Sequence, residues 1–494
     1  MAKPFIITID QGTTGSRVFL ISERGEVLES AYEEFTQYFP RAGWVEHNAN
    51  EIWSSVSRLL AKVLENSGLN ATDAVAIGIT NQRETTVVWE KKNGAPIHNA
   101  IVWQCRRTAD YCEELKKEGL GNLFRDKTGL VLDAYFSGTK IKYILDTVPQ
   151  AREKASRGDL LFGTIDSFLL YKLTGEHKTD FTNASRTLIF NIHERKWDSE
   201  LCKILNIPEN ILPEAQPSKS LFGKTKGLQV LPDGIPVYSM IGDQQSALYG
   251  QLCHNPGEAK NTYGTGCFVV MNLGDKFLQS KNGLITTLAC DTEGNPVYAL
   301  EGSIFIGGAV VQWLRDKMQF FDDSKKSEML AKSVAMESDV VFVPAFAGLG
   351  APYWDQDARG AIMGLTRDTT AEQITQAALK AIALQSYDVI SAMQADSGLP
   401  LSTLKVDGGA TSNRYLMEFQ AGILGAQVVV PRNAETTVLG AAYLAGLGAK
   451  LWTSSDDLRK LNPAAATYHA VMSAEQRERE LARWKKAVAR VLTQ

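Results

Sequence analysis

Phe5-Ile-Ile-Thr-Ile-Asp10-Gln-Gly-Thr-Thr-Gly-Ser-Arg17-Val-Phe-Leu-Ile21 is an apolar strand, a tight glycine and threonine loop, and a second apolar strand. The same order returns in Ala259-Lys-Asn-Thr-Tyr-Gly264-Thr-Gly-Cys-Phe-Val-Val-Met271. A hairpin of this kind directs several backbone N–H groups and hydroxyls into one concavity, which suits a phosphate group. Because the two copies lie about 250 residues apart, they predict two related domains that hold one polyphosphate.

Composition and charge are those of an ordinary globular chain. It has 494 residues, of which 44% are hydrophobic and 22% are charged, and its formal net charge is −4. That balance argues against nucleic acid or an anionic membrane surface as a partner. The six cysteines form no CxxC pair, which is typical of reduced thiols. We therefore expect a cytoplasmic protein.

No segment of the sequence predicts stable insertion into a membrane. The start of the sequence, Met1-Ala-Lys-Pro-Phe-Ile-Ile7, goes directly into an apolar strand, without the long apolar segment of a signal peptide. The longest apolar helix candidate runs from Val438 to Leu447, which is too short to span a bilayer. We expect this helix to be buried inside the protein instead.

Strands that alternate with helices predict an α/β fold whose sheet is covered on both faces. Residues 51–66 carry apolar side chains at helical spacing, and Asn50 precedes them as a candidate N-cap. Residues 74–79 form a predicted buried strand, which ends in the polar run Thr80-Asn-Gln-Arg-Glu-Thr85. In the second half of the chain we expect a helix from Ile304 to Met318.

The turn Cys253-His-Asn-Pro-Gly257 predicts a boundary between two domains. The first domain, residues 1–253, would contain the first glycine and threonine loop. The second domain, residues 254–494, would contain the second loop. The order of strands and helices after the turn repeats that of the first half, so we expect one large unit copied once.

Acidic residues follow two of the predicted strands. Asp10 ends the first strand, and its carboxylate is a candidate ligand for Mg²⁺, which prefers carboxylate and phosphate oxygens. Asp243 lies between the strand 235–241 and a helix, at the carboxyl end where open α/β sheets bind ligands. It is either the general base for a hydroxyl that attacks phosphorus or only the N-cap of that helix.

A polar and aromatic cluster is the second candidate for chemistry. Arg83 and Glu84 follow a buried strand, Trp103 ends another apolar run, and Tyr135 lies in a short loop. Taken singly, such a charged pair is usually solvated, and such aromatic residues usually belong to the core. Taken together, they predict a small cleft for a polyhydroxyl compound, with charged groups on the hydroxyls and aromatic rings on the C–H edges. A third glycine turn, Asp407-Gly-Gly-Ala410, either opens a helix or lets the backbone approach a base or ribose closely.

Longer segments of the chain resemble the FGGY carbohydrate kinase family of the actin-like ATPase superfamily. The match runs nearly from end to end, and no single glycine turn has comparable specificity. The matching segments are Asp10-Gln-Gly-Thr-Thr14, Gly43-Trp-Val-Glu-His47, Gly78-Ile-Thr-Asn-Gln-Arg-Glu-Thr85, Asn99-Ala-Ile-Val-Trp-Gln-Cys-Arg-Arg107, Phe136-Ser-Gly-Thr-Lys140, Thr182-Asn-Ala-Ser-Arg186, Gly242-Asp-Gln-Gln245, Asn261-Thr-Tyr-Gly-Thr-Gly-Cys-Phe268, Gly348-Leu-Gly-Ala-Pro-Tyr-Trp354 and Val406-Asp-Gly-Gly-Ala410.

The resemblance implies two ribonuclease-H-like domains with a catalytic cleft between them, where ATP binds. It implies Mg²⁺-dependent transfer of phosphate from ATP to glycerol, which gives ADP and sn-glycerol 3-phosphate, and it implies a homodimer or homotetramer. The family positions around the polyol fall on Arg83, Glu84, Trp103, Tyr135, Asp243, Gln244 and Phe268. Those of the two phosphate loops fall on Thr13, Thr14, Gly15, Arg17 and Thr265, and those of the remaining nucleotide site on Gly308, Gln312, Gly409 and Asn413. Asp10 and Asp243 are the metal candidates, and both count as catalytic.

Two features depart from patterns seen in the family. Gly15 stands where many members have serine, which removes a hydroxyl but keeps the backbone donors, so we expect the phosphate site to survive. Some bacterial relatives bind fructose 1,6-bisphosphate through a glycine and arginine loop, but Gly227-Leu-Gln-Val-Leu-Pro-Asp-Gly234 contains no arginine. Other relatives carry a phosphorylatable histidine in this region, and no histidine lies between His193 and His254. We expect neither form of control.

Two other functions are open at this point. A kinase for another polyol or a sugar in the same family is the nearest alternative, although the polyol-site residues argue against it. A nucleotide-gated binding protein, like the filament or chaperone members of the superfamily, is the alternative from another class. Such a protein would have no need for the polyol cluster.

Overall fold

The hairpin that opens the sequence forms the centre of a mixed sheet. The computed structural model of the protein describes residues 4–334 and 338–493. Its strands are β1 (Phe5–Gln11), β2 (Gly15–Ser22), β3 (Val27–Glu34), β4 (Gln37–Tyr38), β5 (Glu46–His47), β6 (Ala74–Asn81), β7 (Val87–Glu90), β8 (Ala100–Ile101), β9 (Leu160–Gly163), β10 (Lys178–Asp180), β11 (Phe190–Asn191), β12 (Lys196–Trp197), β13 (Glu214–Gln216), β14 (Lys219–Lys224), β15 (Pro236–Gly242), β16 (Ala259–Tyr263), β17 (Cys267–Gly274), β18 (Ile285–Cys290), β19 (Pro296–Ile304), β20 (Val341–Val343), β21 (Ala361–Met363), β22 (Thr403–Asp407), β23 (Gln427–Pro431) and β24 (Ala464–Tyr468).

Helices alternate with these strands along the chain, as the sequence predicts. They are α1 (Ala49–Ser67), α2 (Ala109–Lys117), α3 (Gly121–Thr128), α4 (Ser137–Thr147), α5 (Ala151–Arg157), α6 (Ile165–Thr174), α7 (Phe181–Ala184), α8 (Ser199–Ile204), α9 (Asp243–Gly250), α10 (Ala309–Asp316), α11 (Lys326–Ser333), α12 (Ala371–Ser397), α13 (Arg414–Leu424), α14 (Thr436–Gly448), α15 (Ser455–Leu461) and α16 (Ala474–Ala489). None of the helices in the described part of the chain has the length and apolar character that a membrane span requires.

The residues group into two units, each assembled from segments that are separate in the sequence. The first unit comprises Met1–His254, Thr286–Tyr298 and Thr436–Leu461. The second unit comprises Asn255–Ile285, Ala299–Glu435 and Asn462–Gln494. Two segments from the second half of the sequence therefore belong to the first unit.

The sheet of the first unit has the strand order β14-β15-β6-β1-β2-β3. Strand β1 pairs antiparallel with β2 and parallel with β6, and β15 is also parallel to β6. The sheet that contains β16 has seven strands in the order β18-β19-β17-β16-β22-β23-β24, and from β19 onward it repeats this arrangement. There β16 pairs antiparallel with β17 and parallel with β22, so the two hairpins occupy equivalent places in their sheets.

Alternate residues of β1 face two different layers of the first unit. Phe5, Ile7 and Ile9 are fully buried in the cluster that contains the apolar stripe of α1. Ile6 points to the opposite face, into the cluster formed by α14 and its neighbours. This alternation is what a strand with helices on both faces requires, because successive side chains point to opposite sides of the sheet.

Helix α14 packs against the sheet and α9 through glycine. A Cβ atom at Gly440 of α14 would overlap the carbonyl oxygen of Ser246 in α9. A Cβ atom at Gly78 in β6 would come within 2.6 Å of the carbonyl oxygen of Ala441. Backbone therefore approaches backbone on both sides of α14, and any side chain at these positions would push the layers apart.

Two helix starts differ from the sequence predictions for a physical reason. Asn48 rather than Asn50 caps α1, because the Asn48 side chain accepts hydrogen bonds from the N–H groups of Asn50 and Glu51. Helix α10 begins at Ala309 rather than Ile304. The strand β19 continues to Ile304, and residues 305–308, which end in a pair of glycines, separate it from the helix.

We expect Gly440→Ala to lower the thermal unfolding temperature, although alanine is intrinsically the better helix former by roughly 1 kcal/mol. The added methyl group overlaps backbone atoms that have no rotamer to change, so the net loss should be about 1–3 kcal/mol. Gly121→Ala is the matched control, because a Cβ atom there meets no heavy atom within 4 Å. An unfolding temperature of Gly440→Ala at or above that of Gly121→Ala would contradict this reading.

Candidate active site

Three parallel strands of the first unit end at the same edge of their sheet. In the register, Asp10 of β1 and Ile241 of β15 both pair with Thr80 of β6. The polar residues at the ends of these strands therefore lie along one edge of the sheet, as the sequence predicts. Asp10 is the last residue but one of β1, Arg83 and Glu84 follow β6, and Asp243 follows β15.

The first glycine and threonine loop is closed by its own backbone and anchored by a glutamine. The Gly12 N–H donates to the Gly15 carbonyl at 2.9 Å. The buried Gln82 side chain donates to the Gly12 carbonyl at 3.1 Å and to Gln11 Oε1 at 3.0 Å. Thr14 is exposed on this loop. The loop thus presents a hydroxyl from a fixed backbone.

Gly15 fits a close contact with the neighbouring strand. A Cβ atom at this position would overlap the ring of Tyr32 and come within 2.7 Å of the carbonyl oxygen of Glu33. Because one of these atoms belongs to the backbone of β3, a serine here would require the strand to move. The packing gives a structural reason for the glycine in this chain.

Asp10 is almost fully buried and forms an ion pair with Arg17. The guanidinium Nε donates to Asp10 Oδ2 at 3.0 Å, and Nη2 contacts the same oxygen. The Arg17 side chain retains about a third of its exposure. The pair joins the two strands of the hairpin just below the loop.

Trp103 and Tyr135 form an aromatic wall beside the first loop. Their ring centroids lie 5.5 Å apart in an edge-to-face arrangement. The indole N–H of Trp103 donates to Thr13 Oγ1 at 3.0 Å, which connects the wall to the first glycine and threonine loop. Asp133 accepts from the Tyr135 N–H at 2.8 Å and pairs with Arg106, which fixes the loop that carries the tyrosine.

Glu84 is buried in a left-handed backbone conformation, with φ of 58°. Its carbonyl oxygen accepts a hydrogen bond from Ser137 at 2.9 Å and one from Lys140 at 3.4 Å. Its carboxylate accepts from Arg186 at 2.5 Å, and the Arg186 guanidinium also lies over the ring of Tyr135. The strained backbone is therefore held by contacts at both its carbonyl and its side chain.

Arg83 links the end of β6 to the start of α9. Its Nε lies 3.2 Å from Asp243 Oδ1, and its Nη1 donates to Gln245 at 3.1 Å. A Cβ atom at Gly242 would come within 2.8 Å of the Arg83 side chain, so glycine leaves room for this crossing. Asp243 is the first residue of α9, and Gly242 occupies the N-cap position. Asp243 Oδ1 also accepts from the Gln244 N–H at 2.7 Å.

Arg186 and Thr182 are site residues to which the sequence analysis assigns no role. Both lie in the segment Thr182-Asn-Ala-Ser-Arg186, which follows β10. Arg186 holds Glu84, and Thr182 Oγ1 accepts from the Gly242 N–H at 2.9 Å. The only signal in the sequence was the resemblance of this segment to the family.

The second glycine and threonine loop lies in the second unit and is held by backbone. The N–H groups of Gly307 and Gly308 donate to the carbonyl oxygens of Thr265 and Gly264, each at 2.8 Å. A Cβ atom at Gly308 would come within 2.8 Å of the Gly264 carbonyl oxygen. The glycine pair before α10 therefore packs directly on the loop, which explains why the helix begins later than predicted.

The remaining predicted nucleotide residues lie outside this loop and differ in exposure. Gln312 lies on α10 and Gly409 opens the third glycine turn; both are exposed. Asn413 caps α13 by accepting from the Leu416 N–H at 3.0 Å. Phe268, the predicted polyol contact from the second half, is half-buried on β17.

The oxygen donors at the strand ends suit Mg²⁺. Asp10 and Asp243 supply carboxylates, and Mg²⁺ is commonly held by one or two carboxylates together with water and substrate phosphates. Within residues 4–334 and 338–493, no group of three or more His, Cys, Asp or Glu side chains is arranged to hold a metal ion. Two carboxylates would leave the other Mg²⁺ positions to water and phosphate oxygens.

Comparisons with known proteins identify the family of this chain. Residues 5–250 match the N-terminal domain of the FGGY family of carbohydrate kinases, and residues 259–449 match its C-terminal domain. A glycerol kinase of Leptospira biflexa is 61% identical over 494 residues, which cover 100% of this chain and 99% of that protein. A glycerol kinase of Bacillus velezensis is 53% identical over 488 residues, or 98% of each chain.

A solved structure extends the similarity to the fold. The crystal structure of Plasmodium falciparum glycerol kinase with ADP superposes with a TM-score of 0.94 at 37% identity, covering 100% of this chain and 99% of that one. The chain belongs to the FGGY family of carbohydrate kinases. The predicted family and the predicted two-domain α/β fold are thereby confirmed.

Because Lys140 is buried next to Glu84, the free energy of unfolding should depend on pH in the alkaline range. Burial lowers the pKa of its ammonium from 10.5 to about 8, and Glu84 opposes this shift. Between these values the unfolded chain keeps a proton that the folded chain has released, so raising the pH favours folding. We expect the free energy of unfolding, relative to Lys140→Met, to rise by up to roughly 3 kcal/mol from pH 8 to 10.5.

Denaturant unfolding of the parent chain and Lys140→Met at several pH values measures this difference. Lys142→Met is the control, because Lys142 lies on the same helix and pairs with Asp146 nearer the surface. A pH dependence no larger for Lys140→Met than for Lys142→Met would show that burial does not perturb Lys140.

Proposed function

We propose that the protein transfers the γ-phosphate of ATP to glycerol and releases ADP and sn-glycerol 3-phosphate. The observation that carries this proposal is the grouping of Arg83, Glu84 and Asp243 at adjoining strand ends of the first unit. The ion pair between Arg83 and Asp243 and the strained, buried Glu84 are the features of a built site. The full-length similarity to glycerol kinases supports glycerol as the acceptor.

Charged and aromatic groups would divide the recognition of glycerol between them. The guanidinium of Arg83 and the carboxylate of Glu84 would hydrogen-bond hydroxyl groups, and the side chain of Gln244 would add a further polar contact. Trp103 and Tyr135 would cover the C–H edges of the polyol. Phe268 would add an apolar contact from the second unit. The aromatic groups would leave little room for a sugar.

Asp243 would act as the general base. Its carboxylate would orient the terminal hydroxyl and accept the proton as the glycerol oxygen attacks phosphorus in line. The new O–P bond forms while the bond from the γ-phosphorus to the bridging oxygen breaks, and ADP leaves with the electron pair. The hydrogen bond from the Gln244 N–H and the ion pair with Arg83 hold the carboxylate in place.

The two glycine and threonine loops would hold the phosphates. Thr13, Thr14 and Arg17 would act in the first loop, together with the backbone at Gly15, and Thr265 would act in the second. Mg²⁺, held through Asp10 and Asp243, would neutralise charge on the phosphate oxygens. These groups bear the charge that develops at the transferred phosphoryl group.

The remaining nucleotide contacts would come from Gly308, Gln312, Gly409 and Asn413. We propose that residues 254–494 supply the adenosine site and residues 1–253 the polyol site, each with one phosphate loop. We also propose that the protein acts in the cytoplasm as a homodimer or homotetramer, as the family resemblance implies.

The release of ADP from Mg·ATP, with and without glycerol, tests this function directly. We expect ADP to appear only when glycerol is present, and NMR of the product to show phosphate on a terminal carbon. Xylitol, ribitol and xylulose at the same concentration are the controls for the alternative acceptor. Turnover with one of these compounds and none with glycerol would favour another kinase of the same family.

Asp243→Asn should lower kcat by about 10²- to 10⁴-fold, because the amide cannot accept the proton. The KM for ATP should change little, since the predicted adenosine contacts lie elsewhere. Asp159→Asn is a control for the same chemical change at an exposed carboxylate that pairs with Arg157. A kcat of Asp243→Asn close to that of the parent would exclude Asp243 as the base.

A further inference from the structure

A fully buried carboxylate, Asp180, lies behind the site and accepts five hydrogen bonds. Its Oδ2 accepts from the Thr182 N–H at 2.9 Å, from Thr182 Oγ1 at 2.6 Å and from Ser218 Oγ at 2.7 Å. Its Oδ1 accepts from the Asn183 N–H at 3.0 Å and from Asn183 Nδ2 at 2.8 Å. Because these donors all bond the same carboxylate, the side chains of Thr182, Asn183 and Ser218 are each held in one orientation.

One branch of this network leads to Asp243. A carboxylate oxygen can only accept a hydrogen bond, so the Thr182 hydroxyl must donate its single hydrogen to Asp180. Its lone pairs then face the Gly242 N–H, which donates to Thr182 Oγ1 at 2.9 Å. Gly242 is the N-cap of α9 and Asp243 is the first residue of that helix. Asp180 therefore determines, through one hydroxyl, where the backbone before Asp243 is held.

A second branch leads to Arg83 and Glu84. Because Asn183 Nδ2 donates to Asp180, the orientation of the Asn183 amide is fixed, and its Oδ1 faces Asn81. Asn81 Nδ2 donates to this oxygen at 3.0 Å and to the Gln82 carbonyl at 2.8 Å. Asn81 is the last residue of β6, two positions before Arg83. Both strand ends that carry the polyol residues are thus tied to the same carboxylate.

We propose that Asp180, acting through Thr182, is the positioning residue for Asp243. It touches neither substrate nor reacting atoms in this assignment; it holds the N–H at the helix start so that the carboxylate one residue later meets the hydroxyl. The inference rests on the proposed function, and it adds a residue to which neither the motifs nor the comparisons assign a role. It predicts a loss of catalysis from a change that leaves every substrate contact in place.

Thr182→Val keeps the shape of the side chain but removes the hydroxyl, whereas Thr182→Ser keeps the hydroxyl. We expect Thr182→Val to lower kcat by about 10- to 100-fold with the KM for ATP changed less than about threefold, because a displaced base costs rate rather than nucleotide binding. Thr182→Ser should stay within about threefold of the parent. In an Asp243→Asn background, Thr182→Val should have no further effect on kcat, since the base through which it acts is gone.

Thr187→Val is the matched structural control. Thr187 is also buried in this stretch, but its hydroxyl donates to the Ala184 carbonyl and contacts neither Asp180 nor Gly242. It should lose thermal stability without losing kcat. If Thr182→Val behaves like Thr187→Val, if Thr182→Ser is as impaired as Thr182→Val, or if the loss persists in the Asp243→Asn background, the proposal is wrong.

Hydrogen exchange separates this proposal from the proposed function. The amide of Gly242 should exchange faster in Thr182→Val than in the parent, and at the parental rate in Thr187→Val, whatever substrate the enzyme uses. Mass spectrometry of a peptide that covers residues 240–246 reports this directly. Unchanged exchange in Thr182→Val would overturn the positioning role. A parent chain without glycerol-dependent turnover would overturn the function alone.

Discussion

The parallel pairing of β1, β6 and β15 is the constraint on which the rest of the first unit depends. It brings three strand ends to one edge, where Arg83 and Glu84 are buried and Asp243 is partly exposed. A buried polar group without a partner costs about 1–3 kcal/mol, so partners for the polar residues at the end of β6 stabilise the unit. The amide of Asn183 bonds Asn81, and the guanidinium of Arg186 bonds Glu84, from a single segment. Packing and site geometry thus share one cause.

Glycine residues allow the backbones of neighbouring elements in the first unit to pack close together. Gly440 lets α14 lie directly on α9, and Gly242 lets Arg83 cross the start of that helix. Neither glycine is among the residues predicted to bind substrate or nucleotide. Their role is steric: a methyl group at either position would displace the element that carries Asp243. The position of Asp243 therefore depends on a residue, Gly440, that lies nearly 200 positions later in the chain.

The sequence predicted what local patterns and strand order can determine. The apolar strand β1, the two hairpins and the polar residues after β6 and β15 were all visible in it, and together they define the fold class and one edge of one sheet. It could not show that Arg186 holds Glu84, because that contact joins residues 102 positions apart. Nor could it place the start of α10, since Gly307 and Gly308 bond to a loop more than 40 residues earlier. Contacts of this kind depend on tertiary packing, which the local spacing of apolar and polar residues does not reveal.

The two hairpins share a topology but are stabilised in different ways, and this difference accounts for the division of residue types between the units. Side chains anchor the first loop: Gln82 bonds its backbone and Trp103 bonds its threonine. Backbone anchors the second loop, through the N–H groups of Gly307 and Gly308. A site built from side chains can discriminate hydroxyl groups by their donors and acceptors, whereas a surface of backbone and glycine suits phosphates and flat rings that need close approach. Nearly all predicted polyol residues accordingly lie in the first unit, and glycines are frequent among the predicted nucleotide residues of the second.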